Sequence, residues 1–331
     1  MGDPAAVFIV AEAGSTAPSL VVGGLTVLER RLREAERRGA PRAFVACAGE
    51  LPSRPLAIPV ERVPEGSAPP AGPGGIDVEV VRADELLGVR LDGPAAAREA
   101  EWRLLRGLPK SFQGPADALV NQHVSLRITR LLCRTPVTPN QITLAALAVG
   151  LAAAVLLARA SYPAVAAAGA LVFLQNVLDS CDGELARLRY QFSAFGQWLD
   201  NIADDVVDAA LTCGLGFAAG GPWRWIGLGA AAARVFTQLA LYVQVRRLGG
   251  QFNQFRWWFE TGVGTVDELY DPRSPRTWLR SFGRRDVYLL LWAVLCAVGL
   301  PVAAAAYADA TWLGYLVLTA LHLAITARRS G

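Results

Sequence analysis

Lysine is almost missing from this chain. Of its 32 basic residues, Lys110 is the single lysine, so guanidinium groups carry nearly all the positive charge, a bias that genome base composition explains. There are two histidines and one methionine. Five cysteines, Cys47, Cys133, Cys181, Cys213 and Cys296, show neither paired nor CxxC spacing. That excludes a disulfide framework and fits a reducing compartment or a membrane interior. The net charge of +3 gives no reason to expect a nucleic-acid partner. The opening "MGDPAAVFIVAEAG" has no basic stretch ahead of its apolar run, so it does not read as a secretory signal.

What is abundant is apolar sequence. The chain of 331 residues is 53% hydrophobic with a mean hydropathy of +0.32, too oily for an ordinary soluble domain. The polar dilution lies between Met1 and about Leu108, and long apolar segments take over beyond Pro139. Six of these, roughly 139–158, 161–180, 202–220, 223–244, 286–306 and 309–327, approach the length needed to cross a bilayer. With both termini inside, the inside segments hold fifteen arginines, Arg285 among them, and the outside loops hold only Arg159 and Arg224. This positive-inside bias favours an even number of spans. The expected fold is therefore mainly α, an integral membrane bundle of six transmembrane helices at 139–329, preceded by a small cytosolic α/β domain at 1–108. Residues 109–138, "ADALVNQHVSLRITRLLCRT" among them, read as an amphipathic helix in the cytoplasmic interface. The loop 246–285, with Trp257 and Trp258, reads as an interfacial anchor. The expected location is the cytoplasmic membrane, with a site open to the cytoplasm.

Within "DSCDGELARLRYQFSAFGQWLDNIAD", Asp179 and Asp182 are three apart and share a helix face, which Gly183 and Ala186 continue. Gly196, Asp200, Asp204 and Asp208 are each four apart and form a stripe rising about 6 Å per member. If the two helices pack side by side, Asp179, Asp182, Asp200 and Asp204 converge. Two like charges 4 Å apart repel by about 4 kcal/mol at an effective dielectric near 20, and a bound divalent cation relieves that. Hard oxygen donors without nearby His or Cys point to Mg²⁺ or Mn²⁺, and Mg²⁺ commonly shares its shell with substrate phosphates.

Asp179-x-x-Asp182-Gly183-x-x-Ala186-Arg187, eight residues, then Gly196-x-x-x-Asp200-x-x-x-Asp204 resembles the signature of the CDP-alcohol phosphotransferases at every specified position. "TPVTPNQIT" before the first span is similar to that family too, and the likeness covers roughly 109–329. Such enzymes move the phosphoalcohol unit of a CDP-alcohol onto a second alcohol and release CMP. The resemblance implies that Asp179, Asp182 and Asp200 hold a pair of divalent metals. It makes Asp204 the catalytic base for the attacking hydroxyl, also touching a metal. Gly183, Ala186, Arg187 and Gly196 would line the CMP pocket, with Asn140 and Thr143 as further candidates. It also implies a homodimer.

Arg234, near the middle of the fourth span, holds either a substrate phosphate or an ion pair with Asp205 or Asp208. Arg189, Arg130 and Lys110 are candidates for a basic acceptor pocket, against snorkelling to lipid phosphates. His123, His322 and Cys181 read as structural. In the N-terminal part, "AVFIV", "AFVACA" and "IDVEVV" read as strands and "LTVLERRLREAERRG" as a helix with Leu25, Leu28, Leu32 and Ala35 on one face. The order predicts parallel βαβ topology and is similar to the start of the sugar-nucleotidyltransferase fold. The loop "AEAGSTAPSLVVGG" lacks the basic residues of that fold's phosphate-gripping loop, so a degenerate module is expected. The default function is phospholipid synthesis from CDP-diacylglycerol or a similar CDP-lipid, with membrane lipid as partner. The alternatives are a soluble CDP-polyol donor of inositol-phosphate type giving a soluble phosphodiester, and, in another class, a divalent-cation transporter.

Overall fold

The computed structural model describes residues 5–69, 78–108, 114–247 and 281–330. Lys110 and the loop bearing Trp257 and Trp258 lie outside the described residues. The chain divides into two compact units. One comprises residues 1–108 with 129–136 and 184–191, and the other comprises 109–128, 137–183 and 192–331.

In the first unit, β1 (Ala6–Val10), β4 (Ala43–Ala46), β5 (Val60–Arg62) and β6 (Val78–Arg82) form a sheet of order β5-β4-β1-β6 with every neighbouring pair parallel. The βαβ reading therefore holds. Sequence gives no warning of β5, a three-residue strand. α1 (Val27–Arg37) begins where Thr26 Oγ1 accepts from Glu29 N at 3.1 Å, and it ends ahead of Gly39 at φ +76°. Leu25 is consequently not on this helix. It pairs in β3 (Leu25–Thr26) with β2 (Val21–Val22), a hairpin turned at Gly23 and Gly24, both with positive φ. Val7, Ile9, Leu28, Leu32, Ala35 and Val45 form the core between helix and sheet. A second hairpin, β7 (Glu85–Leu86) and β8 (Val89–Arg90), leads to α2 (Pro94–Gly107).

Buried guanidiniums complete the unit, Arg30 and Arg189 among them. Arg30, 1% exposed, donates to Leu188 O at 3.0 Å and to Val22 O at 2.8 Å. Arg189 donates to Leu132 O and Cys133 O at 3.1 and 2.8 Å.

The other unit is helical. A π-turn at Asp117–Asn121 leads into α3 (Gln122–Leu132), whose last residues belong to the first unit. Asn121, Ser125 and Thr129, four apart, are buried, while Leu119, Val120 and Leu131 are exposed. The buried positions of this stretch are thus largely polar, a pattern opposite to that of an ordinary core helix. α4 (Pro139–Ala158) opens on a full capping box between Thr138 and Gln141. It is followed by α5 (Tyr162–Leu188), α6 (Ala194–Ala219), α7 (Trp223–Arg247), α8 (Arg285–Ala297) and α9 (Pro301–Ser330). Small residues set the helix spacing. A Cβ on Gly150 of α4 would stand 2.7 Å from Val207 of α6, and one on Gly169 of α5 would stand 2.6 Å from Ala293 O of α8. Val172, Leu211, Leu289, Trp292 and Trp312 fill the centre.

Among the described residues, four helices, Pro139–Ala158, Tyr162–Leu188, Trp223–Gln244 and Pro301–Thr326, are long and apolar enough to cross a membrane. α6 is 26 residues long but carries Asp200, Asp204, Asp205 and Asp208. α8, at 13 residues, is about 20 Å long, short of the ~30 Å core. The span predicted over 286–306 is broken at residues 298–300, where Gly299 adopts φ +79° and Pro301 starts the next helix, so α9 begins at 301 instead of 309.

Candidate active site

The turn from α5 to α6 is built locally. Tyr190 takes a left-handed backbone (φ +54°), Gln191 N bonds Ala186 O at 2.9 Å, and Ser193 Oγ caps α6 by accepting from Gly196 N at 2.9 Å. That entry fixes the phase of α6, and with it the face on which residues 196, 200, 204 and 208 stand. Asp179 of α5 and Asp200 and Asp204 of α6 each present a carboxylate oxygen, and these three atoms lie within 4.8 Å of one another. Asp182, one turn along from Asp179 and 7% exposed, accepts a hydrogen bond from Thr143 Oγ1 of α4 and stands outside this trio. Asn140 of α4 is also close: a Cβ at Gly196 would be 2.8 Å from its Oδ1, so glycine is what the space allows. Gly183 is half-buried at the end of the α5 segment in this unit. Ala186 and Arg187 belong to the segment 184–191 of the first unit.

A cation already meets the trio. Nη1 of Arg285, the first residue of α8, lies 2.9 Å from Asp179 Oδ2 and 2.9 Å from Asp204 Oδ1. Its Nε is 3.4 Å from Asp208 Oδ1. Asp208, fully buried, also accepts from Tyr288 Oη at 2.6 Å and from Arg234 Nη2 at 3.1 Å. Arg234 bonds Asp205 as well, at 2.6 Å, and lies over the Trp312 ring at 4.7 Å. Of its two readings, the ion pair is the one formed.

The basic acceptor-pocket candidates are engaged elsewhere. Arg130 bonds Glu101 at 2.7 Å and covers Trp102, and Arg189 grips the carbonyls that end α3. Neither snorkels. His123 is exposed, His322 lies 2.9 Å from Gln244, and Cys181 is buried against Ser125 O. Arg285 is the member that sequence reasoning counted only as topology, whereas Asp208 was read on the stripe and as a partner for Arg234. An arginine at the mouth of a span counts as topology until the fold brings it to an acidic face 77 residues away.

The donor set fits a divalent cation. It is all hard oxygen, it contains no His or Cys, and it is close enough for one ion to touch several members. Its repulsion, about 4 kcal/mol for a pair at 4 Å, already draws positive charge into the gap.

Residues 136–266 match the family model described as CDP-alcohol phosphatidyltransferase. A relative from Rubrobacter xylanophilus, named as a bifunctional IPC transferase and DIPP synthase, is 33% identical over 214 residues, or 65% of this chain and 43% of that protein. Proteins of the same name from Thermococcus kodakarensis and Archaeoglobus fulgidus are 34% and 33% identical over 145 and 130 residues. Those two matches take in 43% and 39% of this chain and 32% and 26% of the relatives, so the chain spans less than half the length of any of the three. The aspartate trio lies inside the stretch, residues 136 to 266, that is similar to the CDP-alcohol phosphatidyltransferase family.

Proposed function

We propose that the chain is a membrane-embedded, metal-dependent CDP-alcohol phosphotransferase. The observation that carries this reading is the approach of Asp179, Asp200 and Asp204 to within 4.8 Å inside the matched domain. Asp179, Asp182, Asp200 and Asp204 would hold a pair of Mg²⁺ or Mn²⁺ ions, which when bound neutralise the charge developing on the diphosphate. Asp204 accepts the proton of the acceptor hydroxyl. The acceptor oxygen then bonds to the phosphorus of the phosphoalcohol, and the bond to CMP breaks, with CMP taking the electron pair. By the motif, Gly183, Ala186, Arg187 and Gly196 would contact the nucleotide, with Asn140, which stands against Gly196, and Thr143 as further contacts.

For the donor, a CDP-polyol of inositol type is favoured over CDP-diacylglycerol, because the three relatives are named IPC transferase and DIPP synthase. The chain's N-terminal α/β unit is read as a degenerate module. The six helices α4 to α9 form the crossings, with both termini and the aspartates on the arginine-rich cytoplasmic side. α8 is short for a crossing, but its Trp292 and Leu289 are buried in protein, which spares it the need to match the lipid. The working form is a homodimer.

The test is CMP release by the purified full chain in liposomes. CDP-inositol and CDP-diacylglycerol are offered in turn with inositol phosphate, glycerol phosphate, serine or choline, with and without Mn²⁺. Metal-dependent CMP release from CDP-inositol with inositol phosphate is expected. Metal flux across the liposome without CMP release would replace the reading with cation transport.

A further inference from the structure

Arg285 lies outside the matched segment 136–266, yet its Nη1 touches two of the three carboxylates of the trio. A divalent cation held by Asp179 and Asp204 would draw on the same carboxylates that Nη1 now touches. It would then stand against Nη1, and the two positive groups cannot share that position. The surroundings offer the side chain another partner. Its Nε already faces Asp208 at 3.4 Å, and its Nη2 is buried with no hydrogen-bond partner among the described residues. Asp208 is itself fixed by Tyr288 and Arg234. The backbone is fixed as well. Asp286, 6% exposed, accepts from Ala116 N at 3.2 Å and Asp117 N at 3.4 Å, and pairs with Arg284 at 3.1 Å. Any adjustment therefore falls on the Arg285 side chain alone.

We infer that Arg285 is an internal counter-ion that holds Asp179 and Asp204 together in the metal-free protein and gives them up to the entering divalent cation, keeping Asp208 as its partner. Arg285 is thus a positioning residue. It keeps the carboxylates converged against their own repulsion, and it sets metal affinity by competing for the same oxygens. The inference rests on the metal-dependent reading above.

The experiment measures Mn²⁺ affinity of the full chain in detergent, from the spectroscopic signal of free Mn²⁺, alongside the unfolding temperature without metal. Arg285→Gln removes the competitor, so about tenfold tighter Mn²⁺ binding and a lower metal-free unfolding temperature are expected. Arg285→Lys separates exchange from plain charge repulsion. It keeps the charge but loses the two-pronged grip, so about threefold tighter binding is expected, and this variant carries the test if the glutamine variant does not fold. Unchanged or weaker affinity in Arg285→Lys overturns the inference. Asp200→Asn provides the separate check: if the parent shows no Mn²⁺ binding that this substitution removes, the metal-dependent reading itself falls. Parent binding without a gain in the arginine variant removes only the exchange.

Discussion

A buried carboxylate persists where donors or cations meet it, and the aspartates of α6 divide by what meets them. Asp208 is enclosed by Tyr288, Arg234 and Arg285 and has no exposed surface. Asp204 meets the Nη1 of Arg285 and remains half-buried, and on the proposed reading it is the base for the acceptor hydroxyl. Asp204→Asn is expected to lower CMP release about a thousandfold, the scale of a positioned base, while CDP-alcohol binding measured by calorimetry changes little. Normal turnover in that variant would remove its role. The motif residues were legible because helical spacing alone puts them on one face. Arg285 was not, because its partners lie far away in sequence and nothing in "RRD" tells an anchor from a ligand. Asp182 shows the same limit: spacing places it beside Asp179, but Thr143 decides where its carboxylate bonds.

At the level of elements, α6 matters most, because its phase decides which residues face α5. Ser193 sets that phase through its bond to Gly196 N. Ser193→Ala is expected to cost about 1 kcal/mol, read as a lowered midpoint of thermal unfolding, with a larger loss of CMP release than of stability. Equal proportional losses would show that the cap serves stability alone. Helix identity was readable along α4 to α7 from apolar length and caps. The boundary of α8 and α9 was misplaced, although "VGLP" holds both a glycine that accepts a left-handed backbone and a proline that starts a helix. Hydropathy runs straight through those residues, and only backbone chemistry marks the break. α3 was read as amphipathic, but the polarity of its buried face follows from the partners it meets. Thr129, for example, bonds Glu184 at 2.6 Å.

At the scale of the whole molecule, composition separated an α/β part from an apolar part. It did not show that residues 129–136 and 184–191 join the N-terminal unit. Those memberships depend on Arg30 and Arg189, whose guanidiniums reach main-chain carbonyls that no side-chain pattern advertises. The parallel sheet was readable from strand, helix, strand order, whereas β5 was too short to register.

α5 has a further consequence as a measuring rod. From Tyr162 to Asp179 it climbs about 26 Å, at 1.5 Å per residue, against a hydrocarbon slab about 30 Å thick. Its acidic end therefore emerges near headgroup depth only if the slab is no thicker than the rod is long. CMP release in phosphatidylcholine vesicles of short, medium and long acyl chains is expected to fall in the long-chain set, where the aspartates sink below the polar layer. A flat response to chain length would mean that water reaches them by another route.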